Sequence, residues 1–218
     1  MRGRAYATAI SMVAAALPLL GWLSTVIVAL VCLRSGIAAG SLIFLWTLLP
    51  VGVAFYFVGD PSPMIALVGT FMMAMLLRQT LSWELVLIAS VVFSAVGALI
   101  FEFSAAGILD RFVQFYIDYL AQVDASVVID QAQARKLLMG FFAVGQAFSM
   151  VVMLMIARWC QSALYNQGGF RNEFHQLRLS PAISGSIVLA MAVCYVFGDQ
   201  LGRWLPLLTV PLVFASIG

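Results

Sequence analysis

The stretch "AYATAISMVAAALPLLGWLSTVIVALVCL", Ala5 to Leu33, decides how the chain is read. It carries no charge. It is long for one membrane-crossing helix, which needs about 20 apolar residues, and short for two. One reading is a single span kinked at Pro18, because proline removes a backbone donor and crowds the preceding turn. The other is two short helices joined at "LPLLG", Leu17 to Gly21. The two readings put every later segment on opposite sides, so the distribution of basic residues chooses between them. With a cytoplasmic N-terminus and two helices here, the inner side holds Arg2, Arg4, Arg34, Arg78, Arg158, Arg171 and Arg178. The outer side holds Arg111, Arg135, Lys136 and Arg203. Asp60, Glu102, Asp110, Asp118, Asp124, Asp130 and Asp199 fall outside or at the outer edge. A single span reverses the basic bias, so the helical hairpin is preferred.

Working outward, the rest of the chain has the same character. It is 64% hydrophobic and 9% charged. A soluble domain is nearer 45–50% apolar and about 25% charged. The class is therefore integral membrane, and short alternating segments of the β-barrel kind are absent. Full-length spans are expected at 36–58, 84–107, 137–157 and 182–199, with a shorter one at 63–77. Another begins near Leu205 and is still apolar at Gly218, so it reads as incomplete. The expected fold is all-α: one transmembrane domain over 1–218, a polytopic bundle of about seven to eight membrane segments. The start imitates a secretory signal, but further spans follow at once, so it reads as an uncleaved first helix.

Several chemistries are excluded. Lys136 is the single lysine and no phosphate-binding Gly-x-x-x-x-Gly-Lys-Ser/Thr loop surrounds it. His175 is the single histidine, and Cys32, Cys160 and Cys194 are scattered through apolar stretches. No metal or cofactor is expected, and no nucleophile–base constellation points to an enzyme.

Two connectors are amphipathic. "GGFRNEFHQLRLS", Gly168 to Ser180, puts Phe170, Phe174 and Leu177 on one helical stripe and Arg171, His175 and Arg178 on the next. It reads as an interfacial helix in a cytoplasmic loop, 160–180, either as a plain anchor among anionic headgroups or as a dock for a protein partner. Ser180 then caps the next span with Pro181 at its first position. The outer connector, 108–135, contains "ILDRFVQFYIDYLAQV". There Ile108, Leu109, Phe112, Tyr116, Tyr119, Leu120 and Val123 share a face opposite Asp110, Gln114, Asp118 and Ala121.

Polar groups inside spans nominate a ligand site. Gln146 sits midway along 137–157, and its amide has donors and an acceptor that lipid cannot satisfy. Glu102 lies in the outer part of 84–107, where an ionisable group usually faces protein or water. The two could converge on an outward-facing cavity, with Trp46 and Tyr56 supplying aromatic walls. Alternatively Gln146 bonds a neighbouring helix, Glu102 snorkels to the interface and the aromatics are core.

The runs "ALPLLGWLSTVIVALVCLRSGIAAG" and "YNQGGFRNEFHQLRLSP" together resemble the YybS-like family of bacterial membrane proteins, over nearly the whole chain. The second run is the more specific. The resemblance implies a bacterial inner-membrane protein and carries no biochemical activity. In organisation the family is similar to the substrate-binding S components of energy-coupling-factor transporters. In those, an N-terminal helix with an Ala-x-x-x-Ala pattern packs on the coupling subunit. Ala5 and Ala9 match that spacing.

Two functions follow as expectations. One is a non-enzymatic scaffold or assembly partner for other membrane proteins, using Arg171, His175 and Arg178. The other is an S-component-like subunit that binds a small molecule for uptake. The lipid bilayer is a partner in both; nucleic acid is in neither.

Overall fold

A computed structural model of the chain describes residues 4–17, 20–123, 129–165, 173 and 179–217. Every regular element among them is helical. They are α1 (Arg4–Ala16), α2 (Gly21–Ser35), α3 (Ile37–Val58), α4 (Ser62–Thr80), α5 (Trp83–Ser104), α6 (Ala106–Val123) and α7 (Gln131–Tyr165). There follow α8 (Pro181–Val196), the short α9 (Gly198–Leu201), a 3₁₀ turn (Gly202–Trp204) and α10 (Leu205–Ile217). Helices α3, α4, α5 and α7 are long and apolar enough to cross a membrane. Shorter apolar helices occupy Tyr6–Ala16, Gly21–Ser35, Pro181–Val196 and Gly202–Ile217. This pattern is compatible with an integral membrane protein.

The region Ala5–Leu33 forms two helices packed against each other, α1 and α2. Helix α2 is the axis of the bundle. Every residue from Ser24 to Leu33 is buried, and α1, α3, α4 and α7 surround it. A helix apolar on all sides is stable only where all sides are covered. Its 15 residues reach only about 22 Å at 1.5 Å per residue, short of a bilayer core of about 30 Å. Enclosure removes that length requirement, because α2 meets protein rather than lipid. Its last carbonyls, on Cys32 and Leu33, accept hydrogen bonds from the Arg78 guanidinium at the end of α4. A cation there also complements the negative end of the helix dipole.

Close packing around α2 needs small residues. A Cβ on Gly40 of α3 would stand 2.7 Å from Cys32 Cβ and 2.8 Å from its Cα. Glycine is therefore required where α3 crosses α2, the small-residue contact typical of helices packed in membranes. On α1 the inward stripe is Ala7, Ser11 and Ala14. Ser11 Oγ lies 2.6 Å from Thr47 Oγ1 of α3, which itself donates to the Ile43 carbonyl. Helix α3 ends at Gly59, whose φ of 77° is the left-handed cap that glycine adopts without strain.

On the other side of the axis, α7 packs on α2, α4, α5, α6 and α10. Its 35 residues overrun the expected 137–157 because the polar flanks continue the helix at both ends. The outer connector is correspondingly shorter than 108–135, since Gln131–Arg135 belong to α7. Likewise residues 160–165 of the expected cytoplasmic loop are the last turns of α7, and the span expected at 182–199 breaks at Phe197. Ser180 caps α8 as expected, accepting the Ile183 N–H at 3.4 Å, with Pro181 following. Glu84 at the start of α5 accepts the Ser180 N–H, which ties the two helix starts together.

Helix α6 corrects its sequence reading. Leu109 and Val113 are buried against the bundle, whereas Phe112, Phe115, Tyr119 and Val123 are exposed. The apolar surface is thus split into a bundle edge and an outward aromatic edge. Val113 and Phe115, absent from the expected face, belong to these edges.

Candidate functional site

The chain directions place two sets of residues at opposite ends. One end, here the Asp60 end, carries the α1–α2 and α3–α4 connections and the last turn of α5. The other, the Arg78 end, carries the α2–α3 and α4–α5 connections and the start of α8.

At the Asp60 end, α1, α2, α3, α4 and α7 leave a cavity of about 460 Å³ between them. Its walls are apolar: Val51, Ala54 and Val58 from α3, Ala66 from α4, Met153 from α7, and Trp22 from α2. Its polar lining is Ser24 and Thr25 of α2, Asp60 and Ser62 around the start of α4, and Gln146 and Ser149 of α7. Gln146 is only 8% exposed. Its Nε2 donates to the Ser62 carbonyl at 2.9 Å, which pins the amide across α7 and α4 and leaves Oε1 as an acceptor. Asp60 Oδ1 takes both the Ser62 N–H, at 2.9 Å, and the Ser62 hydroxyl, fixing the carboxylate beside the α4 N-terminus. This is the usual way to satisfy the first amide donors of a helix. A cavity of this size with a few placed polar groups is within the range of small-molecule sites.

The four nominated ligand residues do not meet. Gln146 lines the cavity; Glu102 does not. Glu102 Oε2 accepts from Arg203 Nη1 at 3.1 Å, and its Oε1 lies 3.6 Å from Arg135 Nε. Arg135 reaches Asp110 at 2.8 Å as well. Glu102 thus ties α5, α6, α7 and the 3₁₀ turn together rather than facing a ligand. Trp46 and Tyr56 line a groove on the opposite side of α3, with Leu49, Gly52, Val53 and Met64. The cavity is lined instead by the stripe through Val51, Ala54 and Val58, of which Val51 is buried.

No family model, no curated protein and no solved structure matches the chain.

The residues that sequence reasoning missed are Asp60, Thr25 and Ser149. Ser149 had a signal: it follows Gln146 by three residues and so shares its helical stripe. Asp60 had none, because a carboxylate in "VGDPSP" reads as an ordinary loop acid. Among the nominated partner residues, Ala9 is exposed on the side of α1 away from the bundle, beside Ile10. Ala5 is helical, but its side chain lies outside the described residues. Arg171, His175 and Arg178 also lie outside them, as does the expected interfacial helix apart from Glu173. Glu173 pairs with Arg158, which approaches both carboxylate oxygens through Nε and Nη2.

Proposed function

We propose that this chain is a non-enzymatic protein of the bacterial inner membrane that holds a small molecule, as an S-component-like subunit does. It crosses the bilayer with eight apolar segments, N-terminus in the cytoplasm, in keeping with its resemblance to the YybS-like family. The Asp60 end then faces outward, and the Arg78 end inward with most of the arginines. The observation that carries the reading is the cavity at the Asp60 end, with Gln146 fixed at its wall. Gln146 bonds a neighbouring helix and also lines an open cavity, which puts a polar group where a bound molecule would meet it. With no phosphate loop, energy for uptake would come from a partner subunit, and the exposed Ala9 side of α1 is free to meet one.

The alternative, a scaffold for other membrane proteins, rests on the 168–180 stretch. Of its described residues, Glu173 is paired with Arg158 and Ser180 caps α8.

Cysteine accessibility in intact cells tests the reading. In a background lacking Cys32, Cys160 and Cys194, Ser149→Cys is expected to react with a small membrane-impermeant thiol reagent added outside. Phe148→Cys, one residue along on an exposed apolar side of α7, is expected to stay unlabelled. Labelling of Ser149→Cys only from the cytoplasmic side would reverse the orientation. Equal protection of both positions would remove the open cavity.

A further inference from the structure

Resting on the reading of this cavity as a ligand site, we infer that its ligand is a small organic cation, an ammonium group carried on an apolar body.

Among the described residues that line the cavity, Asp60 is the one charged side chain; no lysine or arginine is there. Asp60 Oδ1 is occupied by Ser62, but Oδ2 has no partner among the described residues. A cation is the charge that complements this carboxylate. An anion would meet repulsion with no basic residue to offset it.

Hydrogen-bond polarity points the same way. Gln146 has one Nε2 hydrogen engaged with the Ser62 carbonyl, which leaves Oε1 as an acceptor and the second N–H as a donor. Thr25, only 4% exposed, lines the cavity, and its hydroxyl has no partner among the described residues. Ser149 is likewise without one. A hydroxyl accepts as readily as it donates. The free capacity of the cavity is thus chiefly for accepting, and a protonated amine, with donors only, is its complement. Ser24 has its donor spent on the Gly21 carbonyl and keeps only acceptor capacity.

Size and surface set the rest of the ligand. A bare metal ion takes six to eight oxygens at short range if it is calcium, or a strict octahedron if magnesium. Among the described residues no group of three or more His, Cys, Asp and Glu stands together. The volume of about 460 Å³ far exceeds an ion. Val51, Ala54, Val58, Ala66 and Met153 offer the apolar body a wall, and Trp22 offers a π-face that a cation can also approach.

The test uses the purified full chain in lipid nanodiscs and three probes of one shape. These are 3-phenylpropylammonium, its neutral counterpart 3-phenylpropanol, and the anion 3-phenylpropionate. Isothermal titration is run on the wild type, Asp60→Asn and Asp60→Glu. A hydrogen-bonded charge pair contributes enough that the ammonium should bind about tenfold or more tighter than the alcohol. Asp60→Asn should bring the two level, and Asp60→Glu, which keeps the charge, should restore the preference. The asparagine can still accept from Ser62, and a melting curve for each variant separates misfolding from lost selectivity. The alcohol or the propionate binding as tightly as the ammonium overturns the cation assignment while leaving the cavity as a ligand site. A preference for the ammonium that survives Asp60→Asn in a folded protein overturns it as well. Binding of none of the three overturns both the assignment and the ligand-site reading.

Discussion

Helices α2 and α3 follow one another with only Gly36 between them, and both are strongly apolar, yet they have opposite surroundings. Helix α2 is buried along Ser24–Leu33. Helix α3 turns Leu45, Trp46, Leu49, Val53, Tyr56 and Phe57 outward, and only 17% of its most apolar window is buried, against 50% for α4. The enclosed helix buries Val26, Ile27, Val28, Leu30, Val31 and Leu33 together with Ser24, Thr25, Ala29 and Cys32; the outer one turns its large apolar residues outward. This inverts the pattern of a water-soluble bundle. Where lipid is the solvent, large apolar groups lose nothing by exposure, and small residues serve where backbones come close, as at Gly40. Polar groups then collect inside, which is also where a ligand site can form.

The largest difference in stability is expected between the two faces of α3. On α3, Ile43 is fully buried and Leu45 is 61% exposed. Ile43→Ala should lower the unfolding free energy by about 2–5 kcal/mol, measured by reversible denaturation in mixed SDS micelles. Leu45→Ala should change it by less than about 0.5 kcal/mol, as surface substitutions do. Equal losses would mean that both sides of α3 are packed on protein.

Glycines sharpen the same contrast at smaller amplitude. Gly40→Ala places a Cβ against the Cys32 backbone and should cost about 1–3 kcal/mol by forcing α2 and α3 apart. Gly52 has nothing within 4 Å of a built Cβ. Gly52→Ala should therefore stabilise the helix by about 0.5–1 kcal/mol. A loss at Gly52 in the same assay would reveal a partner on the outer groove.

The smallest effect is expected at the polar contact among α1, α2 and α3. Thr47→Val removes the partner of Ser11 within a buried site. Interhelical hydrogen bonds in membranes average only about 0.6 kcal/mol. A loss several times larger would make this contact, rather than the shape of α2, the main tie of α1 to the bundle.

These contrasts also show what the sequence discloses and where it stops. The hairpin at Leu17–Gly21 was legible because basic residues sort by side, a long-range signal that needs no packing detail. The start of α8 was at its expected position because Ser180 is its cap. The inner face of α3 was not legible. It is apolar all round, so no periodicity marks which stripe meets α2, and Trp46 and Tyr56 were assigned to the wrong side. Gln146 was legible as a polar group within a span. The fate of Glu102 was not, since Arg135 and Arg203 lie far along the chain and only the fold brings them to it. Asp60 gained its place from the convergence of the α3–α4 turn with the α1–α2 turn and α7, which no local pattern encodes.

The central claim is that the cavity beside Gln146 and Asp60 holds a small molecule. Native mass spectrometry of the gently purified protein addresses it most directly, comparing the wild type with Gln146→Leu. Removing one interhelical hydrogen bond should leave the fold intact. The account predicts a retained, non-lipid small molecule on the wild type that is absent from a folded Gln146→Leu protein. A wild type that carries only phospholipid or a protein partner, or a small molecule equally retained by both, would contradict it.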